Sequence, residues 1–187
     1  MIRSLNKFIF LNLLGWKITG NVPDDKKIVA IVAPHTSWHD FFVGVFTRSI
    51  LKMENRIKFL GKYELFENPL IGRVLRKLGG YPIVRNKQVN SVDSVVKIFN
   101  DNENFFLTLA PEGTRQKVNC LKTGFYYIAL KAKVPILLVG FCFKKRIVHF
   151  GEKFYPSGDI DNDMKRIINF FSNYQGKIPE KGLSHLV

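Results

Sequence analysis

Apolar and polar positions alternate along the chain in blocks that predict strands and helices by turns. Lys27 to Ala33 is apolar at every position after its lysine and predicts a buried strand. Phe41 to Leu51 is apolar over most of a helical surface, and Ile57 to Leu60 predicts a second strand. Pro69 to Leu78 reads as a helix with Leu70, Val74, Leu75 and Leu78 on one side, followed by a short third strand at Tyr81 to Val84. Val89, Val92, Val95, Val96 and Phe99 recur at helical spacing, with Asn90 or Ser91 placed to cap them. Phe105 to Ala110 predicts a fourth strand and Gly124 to Lys131 a helix. Val134 to Phe143 and Ile147 to Phe150 predict an antiparallel strand pair around Lys144 to Arg146, and Met164 to Tyr174 a closing amphipathic helix.

Strand–helix alternation over most of the chain predicts an α/β fold, a largely parallel central sheet flanked by helices. With 187 residues and no repeat or linker, the chain fits a single domain, residues 21–187, preceded by a short amphipathic helix in residues 1–20. In such sheets ligands bind beyond the carboxyl ends of the strands. Directly after the first strand comes Pro34 to Asp40, after the second Gly61 to Glu64, after the third Arg85, and after the fourth Pro111 to Arg115. If the four strands run parallel, all four polar clusters converge on one edge.

Charge narrows the partners. Lys and Arg number 29 against 15 Asp and Glu, a formal net charge of +14, which calls for an anionic partner: nucleic acid, a membrane surface or a phosphorylated substrate. The chain has 17 Phe and carries no aromatic nucleic-acid motif, so nucleic acid is not the expected partner. As a helix, the N-terminal segment spreads Leu5, Phe8, Ile9, Leu11 and Leu13 over a wide apolar face, with Arg3, Lys7 and Lys17 to reach headgroups and Trp16 where an interfacial indole would sit. The same pattern suits a helix packed on the domain. The segment falls far short of the ~20 apolar residues a spanning helix needs, and no small-x-small cleavage site follows it. The expectation is peripheral attachment to an anionic membrane. Cys120 and Cys142 form no disulfide framework and read as small buried hydrophobes in a reducing compartment.

His35 and Asp40 are the first candidate chemistry. Five residues apart they would diverge by about 140° on a regular helix, but they meet if His35 ends the strand and Asp40 lies in the first turn of the following helix. Asp40 would then accept the Nδ1 proton of His35 and leave Nε2 free as a base. Taken alone, the pair reads more simply as a loop histidine beside a helix-capping aspartate. His35 and His39 have the spacing of a zinc motif whose essential Glu is replaced by Thr36, so no metal is expected. Ser37 lacks the Gly-x-Ser-x-Gly elbow of a serine hydrolase. In Pro111 to Arg115, Gly113 permits an unusual backbone angle, Thr114 adds a hydroxyl, and Arg115 brings a fork that matches phosphate. Glu112 would fix a cationic or hydroxyl neighbour, while Lys62 and Arg85 add positive charge at the same edge.

His35-x-x-x-x-Asp40, Gly61-Lys-x-Glu-Leu65, Gly80-Tyr-Pro-Ile-Val-Arg85, Pro111-Glu-Gly-Thr-Arg115 and Val134-Pro-Ile136 follow one another in a familiar order. Over roughly residues 28–140 the chain resembles the lysophosphatidate (1-acylglycerol-3-phosphate) acyltransferase family of glycerolipid synthesis. The resemblance implies a general base at His35 with Asp40 as its partner. It implies acceptor binding by Lys62, Arg85, Glu112, Gly113, Thr114 and Arg115, with Val134 to Ile136 supporting the site or an acyl groove. It also implies acyl transfer from acyl-CoA or acyl-carrier protein to a lysophospholipid hydroxyl without metal or other cofactor, by a peripheral protein on the cytoplasmic face of a membrane. The chain departs from the family pattern at Pro34, where Asn is usual, and at Gln116, where Ser is common. Other classes open to these residues are a non-catalytic basic module that docks on membranes or RNA, and an acyl hydrolase.

Overall fold

Lys27–Ala33 forms the central strand, β2, because its side chains are apolar toward both faces and its neighbours on each side are strands. The computed structural model describes residues 2–83 and 91–187. The chain begins with α1 (Ile2–Lys7), which continues as a π-helical stretch (Phe8–Leu13) into β1 (Lys17–Gly20) and then β2. Next come α2 (His39–Ile50), β3 (Ile57–Lys62), α3 (Glu64–Glu67), α4 (Pro69–Lys77) and β4 (Gly80–Ile83). The second half holds α5 (Ser91–Asp101), β5 (Phe105–Leu109), α6 (Gly124–Ala132), β6 (Ile136–Cys142), β7 (Ile147–Phe154) and α7 (Ile160–Ser172), ending in short 3-10 turns.

The seven strands form one sheet in the order β1-β7-β6-β2-β5-β3-β4. Strands β2 to β6 run parallel, whereas β7 is antiparallel to β6 and β1 is parallel to β7. The expected single α/β domain with a largely parallel sheet is therefore found, and the carboxyl ends of β2, β3, β4 and β5 share one edge. Adjacent β2 and β5 send their connections in opposite directions: α2 leads from β2 to β3, and α6 leads from β5 across to β6. That reversal opens a crevice between the carboxyl ends of β2 and β5, where α/β sheets bind ligands.

Alternation along β2 divides the core. Val29, Ile31 and Ala33 join Phe105, Leu107, Val95 and Phe125 under α5, α6 and α7. Ile28 and Ala30 face the other way, with Phe106, Leu137 and Val139, toward Phe10 of the N-terminal segment and Val43 of α2. The α3–α4 segment lies on this second face beside α2, because Phe66 covers Gly61 and Gly80 of β3 and β4.

Several local readings change. Lys17–Gly20, assigned by its sequence to the N-terminal helix, is an edge strand registered against Ile147–Phe150. Trp16 is not an interfacial anchor: it is buried, stacked on Phe10 at 5.4 Å and edge-on to Phe143 at 5.0 Å. β7 runs past Phe150 to Phe154: Lys153 and Phe154 still pair with β6 beyond a register shift, while the side chains of Glu152 and Lys153 reach Arg166 and Asp25. Cys142 is buried, but Cys120 is exposed. α7 starts at Ile160 rather than Met164, where the Asp159 carboxylate caps it by accepting from the Asn162 N–H. The helix expected from Val89 begins, among the described residues, at Ser91; Val84 and Val89 themselves lie outside them. No helix among the described residues is long and apolar enough to cross a membrane.

Candidate active site

The loop from Pro34 to Trp38 joins the end of β2 to the start of α2, and the carboxylate of Asp40 organises it. Asp40 sits in the first turn of α2, 5% exposed, and its Oδ2 accepts the N–H groups of Thr36 and Ser37, each at 2.9 Å. The same oxygen lies 3.0 Å from Nδ1 of His35. With its acceptor there, Nδ1 carries the proton and Nε2 presents a lone pair, the tautomer that network requires. His35 is only partly exposed, 24% at its side chain, so the ring is held on one edge and open on the other.

The second loop leaves β5. Glu112 is buried, and its Oε1 accepts the backbone N–H of His35 at 2.6 Å, so the loop after β5 holds the loop after β2. Burial pushes the Glu112 carboxyl above the ordinary carboxylate range, against the opposing pull of the hydrogen bond from the His35 amide. Gly113 follows at φ 67°, in the left-handed region, and donates its N–H to Ala110 at 3.1 Å. That turn carries the exposed Thr114 and Arg115 over the crevice.

Beneath these groups lies a cavity of about 590 Å³, within the ~300–1,000 Å³ usual for ligand sites. His35, Asp40 and Gly113 to Arg115 are polar groups on its wall; Ala30, Phe41, Gly44, Phe106, Val139 and Phe150 are among the apolar ones. The cavity runs between α2 and the sheet. Its far end reaches Arg48, whose guanidinium donates to the carbonyls of Glu54 at 2.7 Å, Lys77 at 3.0 Å and Leu78.

His35, Asp40, Gly113, Thr114 and Arg115 thus come together at one cavity. Glu112 is beside them but not on the cavity wall; it positions His35 from behind. Lys62 is exposed as the last residue of β3 and does not line the cavity, and Arg85 lies outside the described residues. Val134 to Ile136 sits at the opposite, amino end of the sheet, where Pro135 accepts from Val29, so it anchors β6 and lines neither site nor groove. Ser37 and His39 engage each other, Oγ to Nδ1 at 2.8 Å.

Sequence reasoning missed two contributors. Gly44 of α2 faces the cavity, and a Cβ there would meet nothing within 4 Å. A glycine inside a helix costs up to ~1 kcal/mol against Ala, which was the available signal. Thr36 Oγ1 accepts the N–H of Ile178 at 3.1 Å, and Gly176 packs so tightly on Thr36 that a Cβ would collide with it. No local pattern reports a contact of that sequence separation.

The chain is also similar in sequence to known proteins. A 1-acyl-sn-glycerol-3-phosphate acyltransferase of Bacillus subtilis (strain 168) is 31% identical over 119 residues, 63% of this chain and 56% of that protein. One of Streptococcus pneumoniae (strain ATCC BAA-255 / R6) is 32% identical over 136 residues, 68% of this chain and 49% of that protein. The chain therefore spans about half the length of the curated relatives it matches. The family model described as Acyltransferase matches residues 16–141, a span that runs from β1 through β6 and takes in both loops of the site. By that match this chain belongs to the Acyltransferase family.

Proposed function

We propose that this protein transfers a fatty acyl group from an acyl thioester, acyl-CoA or acyl-carrier protein, to a hydroxyl of a lysophospholipid such as 1-acylglycerol-3-phosphate in phospholipid biosynthesis. The observation that carries the reading is the His35 Nδ1–Asp40 Oδ2 contact at 3.0 Å, set at the polar end of an otherwise apolar cavity. The relatives named above are similar in sequence and carry that acceptor in their names.

In this mechanism Nε2 of His35 takes the proton of the acceptor hydroxyl as its oxygen attacks the thioester carbonyl carbon. The C–S bond then breaks, and the imidazolium returns the proton to the departing thiolate. Asp40 holds the ring in the productive tautomer and stabilises the imidazolium, its charge offset by the Thr36 and Ser37 N–H groups. The acyl chain lies in the cavity between α2 and the sheet, where its methylenes leave water. Arg115 meets the acceptor phosphate with its planar fork, supported by Thr114 and by the charge of Lys62. Exposed Leu5, Phe8, Leu13 and Leu14, with Lys7 and Lys17 nearby, attach the protein peripherally to an anionic membrane at its cytoplasmic face.

The test is an acceptor screen with labelled acyl-CoA and acyl-carrier protein, read by lipid mass spectrometry. A diacyl product from lysophosphatidate is expected, with His35→Ala lowering turnover by on the order of 10²–10⁴-fold. Free fatty acid released without acceptor would make the protein a hydrolase. Near-normal turnover in a folded His35→Ala would remove the proposed base.

A further inference from the structure

Helix α4 is packed inside out. An amphipathic helix on a protein surface buries its apolar stripe, yet in Pro69–Lys77 the buried residue is Gly72, while Leu70 is 70%, Ile71 49% and Val74 51% exposed. The packing enforces this. Gly72 is pressed against α3 so closely that a Cβ would strike the Phe66 carbonyl oxygen, and Arg76 lies over the Phe66 ring at 5.3 Å. The helix therefore meets α3 through a glycine and an arginine, keeps Leu75 half-buried, and turns Leu70, Ile71 and Val74 to solvent. Tyr63 and Leu65, just before it, are exposed as well.

This apolar face belongs to the same layer as α2 and the N-terminal segment, where Leu5, Phe8, Leu13, Trp38 and Phe42 are also exposed. Across the sheet, helices α5, α6 and α7 expose only Tyr127 and Leu130 among the large apolar side chains of the described residues. The asymmetry singles out one side of the molecule, the side on which the cavity lies. Charge selects the occupant. α4 contains no acidic residue, and Arg73, Arg76, Lys77 and Lys62 outnumber Glu64 and Glu67 of α3. A two-fold contact between copies would set those cations against their own equivalents in chains of net charge +14. An anionic lipid surface attracts them and accepts the aliphatic side chains between them.

We propose that the α3–α4 segment docks on an anionic phospholipid bilayer, so that the protein rests on lipid at two places, one on each side of α2. The inference deepens the membrane reading given above and rests on it. The two footholds would hold the cavity between them at the headgroup level, where a lysolipid and the thioester of a fatty acyl chain both lie.

The test is co-sedimentation of the full chain with vesicles of phosphatidylcholine and phosphatidylglycerol, with no substrate present. The triple variant Leu70→Ser/Ile71→Ser/Val74→Ser should lower partitioning by at least roughly ten-fold, and Arg73→Glu/Lys77→Glu should weaken the preference for the anionic lipid. Partitioning equal to that of the native chain in both variants overturns the proposal. So does a native dimer that the triple variant converts to a monomer without vesicles, which would make the face a self-association surface. If the triple variant does not fold, a nitroxide placed by Ile71→Cys in a Cys120→Ser background decides. Shielding from aqueous quencher on vesicles supports docking, and full water access ends it. Because binding is measured apart from transfer, a chain that docks through α4 without acylating any acceptor would count against the proposed reaction alone.

Discussion

The backbone N–H of His35 donates to Oε1 of Glu112 at 2.6 Å, linking loops 77 residues apart in sequence. Adjacent strands β2 and β5 bring those loops side by side, and the bond fixes the height of the imidazole above the sheet edge. Glu112 was expected to fix a cationic or hydroxyl neighbour in the crevice; it accepts a backbone amide instead, from a buried place off the cavity wall, so its effect on substrate passes through the position of His35.

That arrangement makes stability depend on pH in a definite direction. Burial raises Glu112, so its contribution is fully present below the ordinary carboxyl value of about 4.3 and is lost as pH rises through the raised value. Glu112→Gln keeps an acceptor for His35 and removes the ionisation. Its melting temperature, relative to the native chain, should climb as pH increases from 4 toward neutrality, on the order of a few degrees. Glu112→Ala leaves the His35 amide unpaired and should cost about 1–3 kcal/mol at pH 4, a difference that narrows as pH rises. Parallel melting curves for native protein and Glu112→Gln at every pH would show that the carboxyl carries no such cost.

Gly44 leaves the cavity open where any side chain would narrow it. Gly44→Leu should shorten the acyl chain accepted. Excluding three methylenes at ~0.8 kcal/mol each removes about 2.4 kcal/mol, roughly fifty-fold in kcat/KM for a long-chain donor. A short-chain donor should be nearly unaffected, and the helix should gain stability by losing its glycine. Equal losses for long and short donors would place the acyl chain elsewhere.

Asp163 on α7 titrates in the opposite sense to Glu112. Burial alone pushes its carboxyl up, but the Ser157 amide and hydroxyl and the Tyr126 hydroxyl, at 2.7, 2.9 and 2.9 Å, outweigh it and hold it below the usual range. Its stabilisation is fully present above about 3.9 and is lost as pH falls through the lowered value. Asp163→Asn should cost about 1.5–3 kcal/mol at neutral pH, and its stability should approach that of the native chain in acid, as followed by chemical denaturation. A constant difference down to pH 2 would contradict this.

Strands and their order along the chain were legible because β2, β5 and β6 are buried on both faces and leave long apolar runs. The site was legible because parallel strands deliver their carboxyl ends to one edge, so that residues after strands can be grouped before any contact is known. Lys17–Gly20 was not legible: a short edge strand with a charge and a glycine has no run to see, and its pairing partner, Ile147–Phe150, lies far along the chain. Trp16 was misread because amphipathic segments that bind lipid and those that pack on a core share one pattern. Proximity to a strand end put Lys62 on the right edge but not on the wall, since the cavity lies under α2 and that side chain is exposed outside it.

The seat of Ile178 against Thr36 sets the order of events during synthesis. Thr36 is synthesised 142 residues before Ile178, whose N–H its hydroxyl oxygen accepts. A nascent chain can therefore assemble β2, β5 and β6 before the loop above them is locked. Chemical competence waits on the segment that carries Ile178.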